Sequence, residues 1–193
     1  MSEGFKLKKA VEIVDDPEKI RLLANFTHRM ILQLLSELPM TEAQLSEELG
    51  LTRSAIGYHL NPLKKANLIY LNKVEPEDHG IIQKFYSSVA AFFVVNYHNI
   101  PKDVKRCFIQ MQIEHLRGVF TILQLQQHFL GISPENLEKL AIAMLKQLEK
   151  TCIDYEGKKI VENAENLKVK IYAEALASLA KLDEWSTLFS QKT

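Results

Sequence analysis

Apolar residues in the first third of the chain recur at steps of three and four, and capping residues bound each run. Asp16, Pro17 and Glu18 form a helix start: a side-chain oxygen to accept orphan N–H groups, a ring that suits the first helical position, and an acid that complements the dipole. Leu23, Phe26, Met30, Leu34 and Leu38 then predict one helix with a single buried face, ended with the help of Pro39. Thr41-Glu42-Ala43-Gln44 has the spacing of a capping box, Leu45 and Leu49 face inward, and Gly50 suits a left-handed C-cap. Leu51 tucks between two helices, and Thr52 caps the next one, whose stripe is Ile56, Leu60 and Leu63. Two short helices joined by a glycine-containing turn make a helix-turn-helix.

After residue 68 the period changes. Residues 69–74 and 81–89 are rich in β-branched and aromatic side chains, and residues 75–80 (EPEDHG) are turn formers, which predicts a β-hairpin. From Pro101 onward the chain reads as helical. One helix carries Val104, Phe108, Met111, His115, Val119, Ile122 and Phe129, and Gly131 breaks it. A second starts at Ser133-Pro134-Glu135 with Leu137, Leu140, Met144, Leu148 and Cys152 as its stripe. The last carries Tyr172, Leu176, Leu179, Leu182, Trp185 and Phe189. The expected architecture is mainly α with a small β-hairpin wing: residues 1–99 as a winged helix-turn-helix domain and residues 100–193 as an α-helical region, divided near residues 96–101.

Composition narrows the picture. The 193 residues are 47% hydrophobic, enough for a sizeable core, and 24 basic residues balance 24 acidic ones. Any nucleic-acid surface is therefore local rather than spread over the molecule. Cys107 and Cys152 are far apart without C-x-x-C spacing, so they read as two buried thiols in a reducing compartment. Residues 89–95 form the longest apolar run, short of the ~20 residues a membrane span needs, and the N-terminus has no apolar signal segment. The expected location is cytoplasmic.

The helix over residues 52–66 holds the informative chemistry. Projected at 100° per residue, it sets Ser54, Tyr58, Asn61 and Lys65 opposite the apolar stripe, with Arg53, Gly57 and Lys64 at the margin and no acid anywhere. Amide and guanidinium groups read base edges in the major groove, while hydroxyl and ammonium groups hold phosphates. Glycine inside a helix costs ~1 kcal/mol relative to alanine, so Gly57 suggests a close backbone approach. An ordinary solvated helix face is the plain alternative. His59 lies nearer the stripe, where a phosphate contact and a packing role are equally compatible. Lys73 and Lys84 flank the hairpin and are placed to straddle phosphates, against an acidic tip of Glu75, Glu77 and Asp78.

Residues 40–69 resemble the DNA-binding core of ArsR-like winged helix-turn-helix transcriptional regulators. Leu45, Leu49, Gly50, Leu51, Thr52, Ser54, Ile56, His59, Leu60, Leu63, Ala66, Leu68 and Ile69 fall on that pattern. The likeness covers about residues 17–90, and the helical tail is similar to the C-terminal extension of two-domain regulators of this type. It implies double-stranded DNA as partner, with Thr41, Thr52, Arg53, Ser54, Gly57, Tyr58, His59, Asn61, Lys64, Lys65, Lys73 and Lys84 as candidate contacts. Three departures stand out: Gly57 for the usual Ser, Asn67 for the usual Gly, and Pro62 inside the helix, which is expected to bend it or end it early, ahead of Lys64 and Lys65.

The Cys-x-Cys of metal-sensing members is absent from residues 44–50, and His98, His115 and His128 form no ligand pair, so neither a metal nor a cofactor is expected. With no Gly-rich phosphate loop and no nucleophile elbow, an enzyme is not expected either. The face carrying Tyr172, Ala175, Leu176, Leu179 and Leu182 suits a two-fold partner, although packing within the monomer accounts for part of it. Two reading helices one turn of DNA apart match a palindromic operator, and the helical region leaves room for a small apolar effector. The competing function is a winged helix that binds or assembles proteins without reading DNA.

Overall fold

The computed structural model describes residues 8–76, 82–125, 132–159 and 163–185. A first strand β1 (Lys9–Val14) leads into α1 (Pro17–Ala24), α2 (Phe26–Glu37), α3 (Glu42–Leu49) and α4 (Arg53–Lys65). Strands β2 (Ile69–Pro76), β3 (Ile82–Ser88) and β4 (Ala90–Val95) follow, then a single 3₁₀ turn and α5 (Lys102–Leu125), α6 (Pro134–Ile153) and α7 (Ala164–Ala180). The chain is mostly helical with an antiparallel hairpin, β2 on β3, directly after the helix-turn-helix, as the sequence predicts.

The long helix expected over residues 17–38 is two helices. Asn25 ends α1 by sending its backbone N–H to Leu22 O, and it begins α2 by accepting the His28 N–H on its side chain. One residue thus serves as both stop and start. The buried faces turn accordingly: Ile20 and Leu23 in α1, then His28, Ile31, Leu32 and Leu35 in α2. Phe26 and Leu38, expected inside, are exposed by 68% and 52%.

Capping in the next two helices follows the sequence. Thr41 and Gln44 form the reciprocal box, and Gly50 adopts φ +63° as the C-cap of α3. Helix α4 passes through Pro62 and ends at Lys65, with Asn67 in the left-handed region at φ 55°, which asparagine tolerates. Pro62 removes one donor without stopping the helix, so Lys64 and Lys65 stay on α4 and are exposed.

A second, two-stranded sheet was not legible in the sequence. β1 pairs in parallel with β4, Val11 opposite Phe92 and Val14 opposite Val95. The apolar run weighed above as a membrane span is this internal strand, packed by α2, α6 and α7. The segment after α6 also reaches β1, where Ala10 N–H donates to Lys158 O at 2.8 Å. No helix among the described residues is long and apolar enough to cross a membrane.

In α5 the buried positions are Phe108, Ile109, Gln112, Ile113, Leu116 and Phe120, shifted from the expected stripe. Val119 and Ile122 are exposed, and Phe129 lies outside the described residues, as do Gly131 and Phe189. The α6 stripe is as predicted: Leu137, Leu140, Met144, Leu148 and Cys152 are all buried. In α7, Ile171, Ala175 and Leu179 pack inward, Tyr172 and Leu176 are half-buried and Leu182 is exposed. One continuous apolar cluster joins Ile31, Leu45 and Ile56 to Leu140, Met144 and Ile171.

Candidate nucleic-acid interface

Helix α4 is anchored from below and bare above. Ile56, Leu60 and Leu63 are buried in the core, and replacing one of them by alanine would cost about 2–5 kcal/mol. Across the helix Arg53, Ser54, Tyr58, Asn61, Lys64 and Lys65 are all exposed, Tyr58 by 75%. Thirteen residues at ~1.5 Å each give a rod of ~20 Å, which presents several side chains along a groove.

The first turn of α4 holds no acid, and Arg53 occupies it instead. Thr52 is exposed, and its hydroxyl accepts the Ala55 N–H at 3.2 Å. The positive end of the helix dipole therefore faces solvent without a carboxylate, a suitable setting for a phosphate. At the far end Lys64 and Lys65 complement the negative pole while keeping their charges outside.

Thr41 is placed differently. It is 7% exposed and its side chain is committed to the capping box of α3, so it holds the helix-turn-helix together from inside. Gly57 faces α3 rather than open space: a Cβ built there would lie 3.7 Å from Glu42 Oε2, an ordinary contact. His59 is half-buried and packs back onto α2, edge-to-face with His28 at 5.2 Å between ring centroids and with Tyr58 at 5.4 Å. Its Nδ1 is buried without a hydrogen-bond partner. His28, absent from the sequence-derived site, is held by an Nδ1 contact of 3.0 Å to Leu22 O. Burial lowers its pKa, its hydrogen bond to Leu22 raises it, and the neighbouring His59 lowers it further, with the net shift downward. Only the helix break at Asn25 would have turned His28 toward α4.

On the hairpin, Lys73 and Lys84 do stand on opposite faces, since Lys73 pairs with Phe85 and Val74 with Lys84 in the register. Lys84 is exposed. Lys73 is half-buried, bound to Glu75 at 2.6 Å and lying over the Phe85 ring at 4.4 Å, so its charge is already engaged. Glu77 and Asp78 of the expected acidic tip lie outside the described residues.

No group of three or more metal-ligating side chains converges among the described residues. Cys152 is fully buried and its thiol is pushed up to about 12, foremost by burial and further by Glu174, so it offers no thiolate. Cys107 is half-buried, its sulfur 3.5 Å from Ala24 O, rather than fully enclosed as expected.

A family model described as bacterial regulatory protein, arsR family, matches residues 27–70, from the first turn of α2 to the start of β2. No curated protein gives a significant match to the chain. Buried stripe, exposed acid-free face and family match coincide on α4, so the segment over residues 27–70 is similar to the regulatory proteins of the arsR family.

Proposed function

We propose that the protein is a sequence-specific transcriptional regulator that binds a palindromic operator as a homodimer, with α4 in the major groove. The observation that carries this is the exposed face of α4, which is polar, basic at both ends and free of acids. Arg53, Tyr58 and Asn61 are the base-edge candidates, while Thr52, Ser54, Lys64, Lys65 and Lys84 are the phosphate candidates. Gly57, His59, Lys73 and Thr41 support that face from beside or beneath it.

A two-fold partner is supported by apolar surface on the helical half. Val119, Ile122 and Leu125 follow one another along the end of α5, and Leu125 is exposed by 80%. Val169 and Leu182 add exposed apolar area at and beyond α7. Contiguous surface of this kind favours an interface. Part of the face first assigned to the partner, Ala175 and Leu179, is instead consumed by the protomer's own core. A small effector acting through the helical region belongs to the same proposal.

The second reading is a winged helix that binds proteins, favoured by zero net charge and by the acids beside α4, Glu42 on α3 among them. Incubation of the purified chain with fragmented genomic DNA, followed by sequencing of what it retains, separates the two. Enrichment of fragments sharing an inverted repeat supports the regulator. Retention without sequence preference, or none, overturns it.

A further inference from the structure

A cavity of roughly 400 Å³ lies between α2, β4, α5 and α7, partly open to solvent and within the ~300–1,000 Å³ range of small-molecule sites. Its walls are mainly apolar, with Phe92, Phe108, Met30 and Met111 among them. One polar chain crosses it. Gln112 Nε2 donates to the Tyr172 hydroxyl at 3.0 Å, and that hydroxyl lies 3.2 Å from His115 Nδ1. Burial, and after it the charges of Lys168 and Arg29, lower the His115 pKa, which favours the neutral ring, and the Tyr172 hydroxyl, already accepting from Gln112, has its own proton to send to that nitrogen. Donation from Gln112 Nε2 thus sets up a chain from amide to phenol to imidazole.

That direction leaves one group unsatisfied. Gln112 is 6% exposed, and its Oε1 is buried without a hydrogen-bond partner. A buried acceptor left without a donor is costly, and natural structures keep few of them. Among the charged side chains around the cavity, Arg29 donates to Leu23 O and Ala24 O, Glu114 accepts from Arg117, and Glu37 accepts from Asn163, while Glu165 and Lys168 add one charge of each sign to the wall. With two basic and three acidic side chains the wall carries little net charge, too little to repay the desolvation of an ionised ligand against its apolar part.

We infer that this cavity binds a small uncharged molecule, an aromatic or aliphatic body bearing one N–H or O–H that donates to Gln112 Oε1. Oε1 is closed off from solvent, so a ligand reaches it by moving side chains of the wall, among which Met30 and Met111 are unbranched and pliable. The consequence for DNA rests on the regulator reading, whereas binding itself does not. Met30 and His28 are two residues apart on α2 and point to opposite sides of it. Filling the cavity therefore presses α2 toward the His28–His59 contact on the reading helix.

The test uses the full-length chain with ¹³C-methyl-labelled methionine and no DNA. Indole and indene share a shape, but only indole has an N–H donor. Saturable shifts of the Met30 and Met111 methyl signals are expected with indole, while Met40 and Met144, which do not line the cavity, serve as controls. Indene is expected to bind about tenfold more weakly, the worth of one hydrogen bond to a buried acceptor. Gln112→Met, close in shape, should bring the two probes to equal affinity. Ala91→Ile, which narrows the cavity from β4, should weaken both. No saturable shift at Met30 and Met111 with indole overturns the proposal. So does equal affinity of the two probes for the unaltered chain, or a donor preference that survives Gln112→Met.

Discussion

Thr41 and Thr52 begin consecutive helices with the same bond: each hydroxyl accepts an N–H from the third residue on, at 3.2 Å in both cases. Their surroundings differ. Thr41 is buried, and Gln44 Oε1 returns the bond to its backbone N–H at 2.9 Å, with Glu42 in the first turn. Thr52 is exposed, its counterpart of Gln44 is Ala55, which cannot reciprocate, and Arg53 replaces the acid. The first helix end is closed by the protein for its own stability. The second is left open, with positive potential facing outward, which gives up some stability at a place where a phosphate can supply the missing partner.

The largest expected effect comes from stripping the open end's own face. Tyr58→Ala with Lys65→Ala should lower operator affinity by about thirtyfold and reduce the salt slope by about 1, measured by fluorescence anisotropy across a salt series. An unchanged slope would mean that Lys65 holds no phosphate. Thr52→Asp sets the two properties of the open end against each other. Aspartate caps at least as well as threonine, so the urea midpoint should hold or rise, while affinity for DNA falls about tenfold as a carboxylate meets the backbone. If both fall together, the open end is merely a poor cap.

At the closed end the balance reverses. Thr41→Ala should cost about 1 kcal/mol in urea unfolding and leave the affinity of the folded fraction unaltered. A selective loss of affinity would put Thr41 back among the DNA contacts. Gly57→Ala should add about 0.5–1 kcal/mol of stability, because the new methyl group has room beside Glu42. A simultaneous drop in DNA affinity would show that the groove needs the bare backbone. The mildest effect is on pH. The pKa of His28 is lowered in the folded state, so the unfolded chain binds protons more readily. Its stabilising share is complete above the ordinary histidine value near 6.5 and is lost as pH falls from there toward the lowered folded value. Thermal melts between pH 7.5 and 5.5 should show this slope, and His28→Gln should reduce it to the share left by His115, whose pKa is lowered too.

The two helix ends were also the parts most legible in the sequence, because capping depends on residues within one turn of each other. Thr41, Gln44, Gly50, Thr52 and Asn67 behave as their types and spacing predict. The exposed set on α4 was equally accessible, since helical periodicity alone divides Ile56, Leu60 and Leu63 from Ser54, Tyr58 and Asn61. What escaped depends on distant partners. Asn25 looked like one polar residue in an amphipathic run, and only the angle between α1 and α2 shows it to be a boundary. Residues 9–14 carry no hairpin signal because their partner lies beyond the whole winged unit. The chain from Gln112 to His115 requires Tyr172, which arrives from another helix.

The parallel pairing of β1 with β4 also dictates an order of events when the chain is made. Lys9 finds Ala90, and Val14 finds Val95, only after every residue between them has been synthesised, and Ala10 waits longer still for Lys158. Contacts of such sequence separation form slowly, since a long loop must close before any bond rewards it. The helix-turn-helix, built from neighbours, has no such wait. During synthesis, therefore, the helix-turn-helix has its partners at hand while the first strand still waits for β4 and then for Lys158.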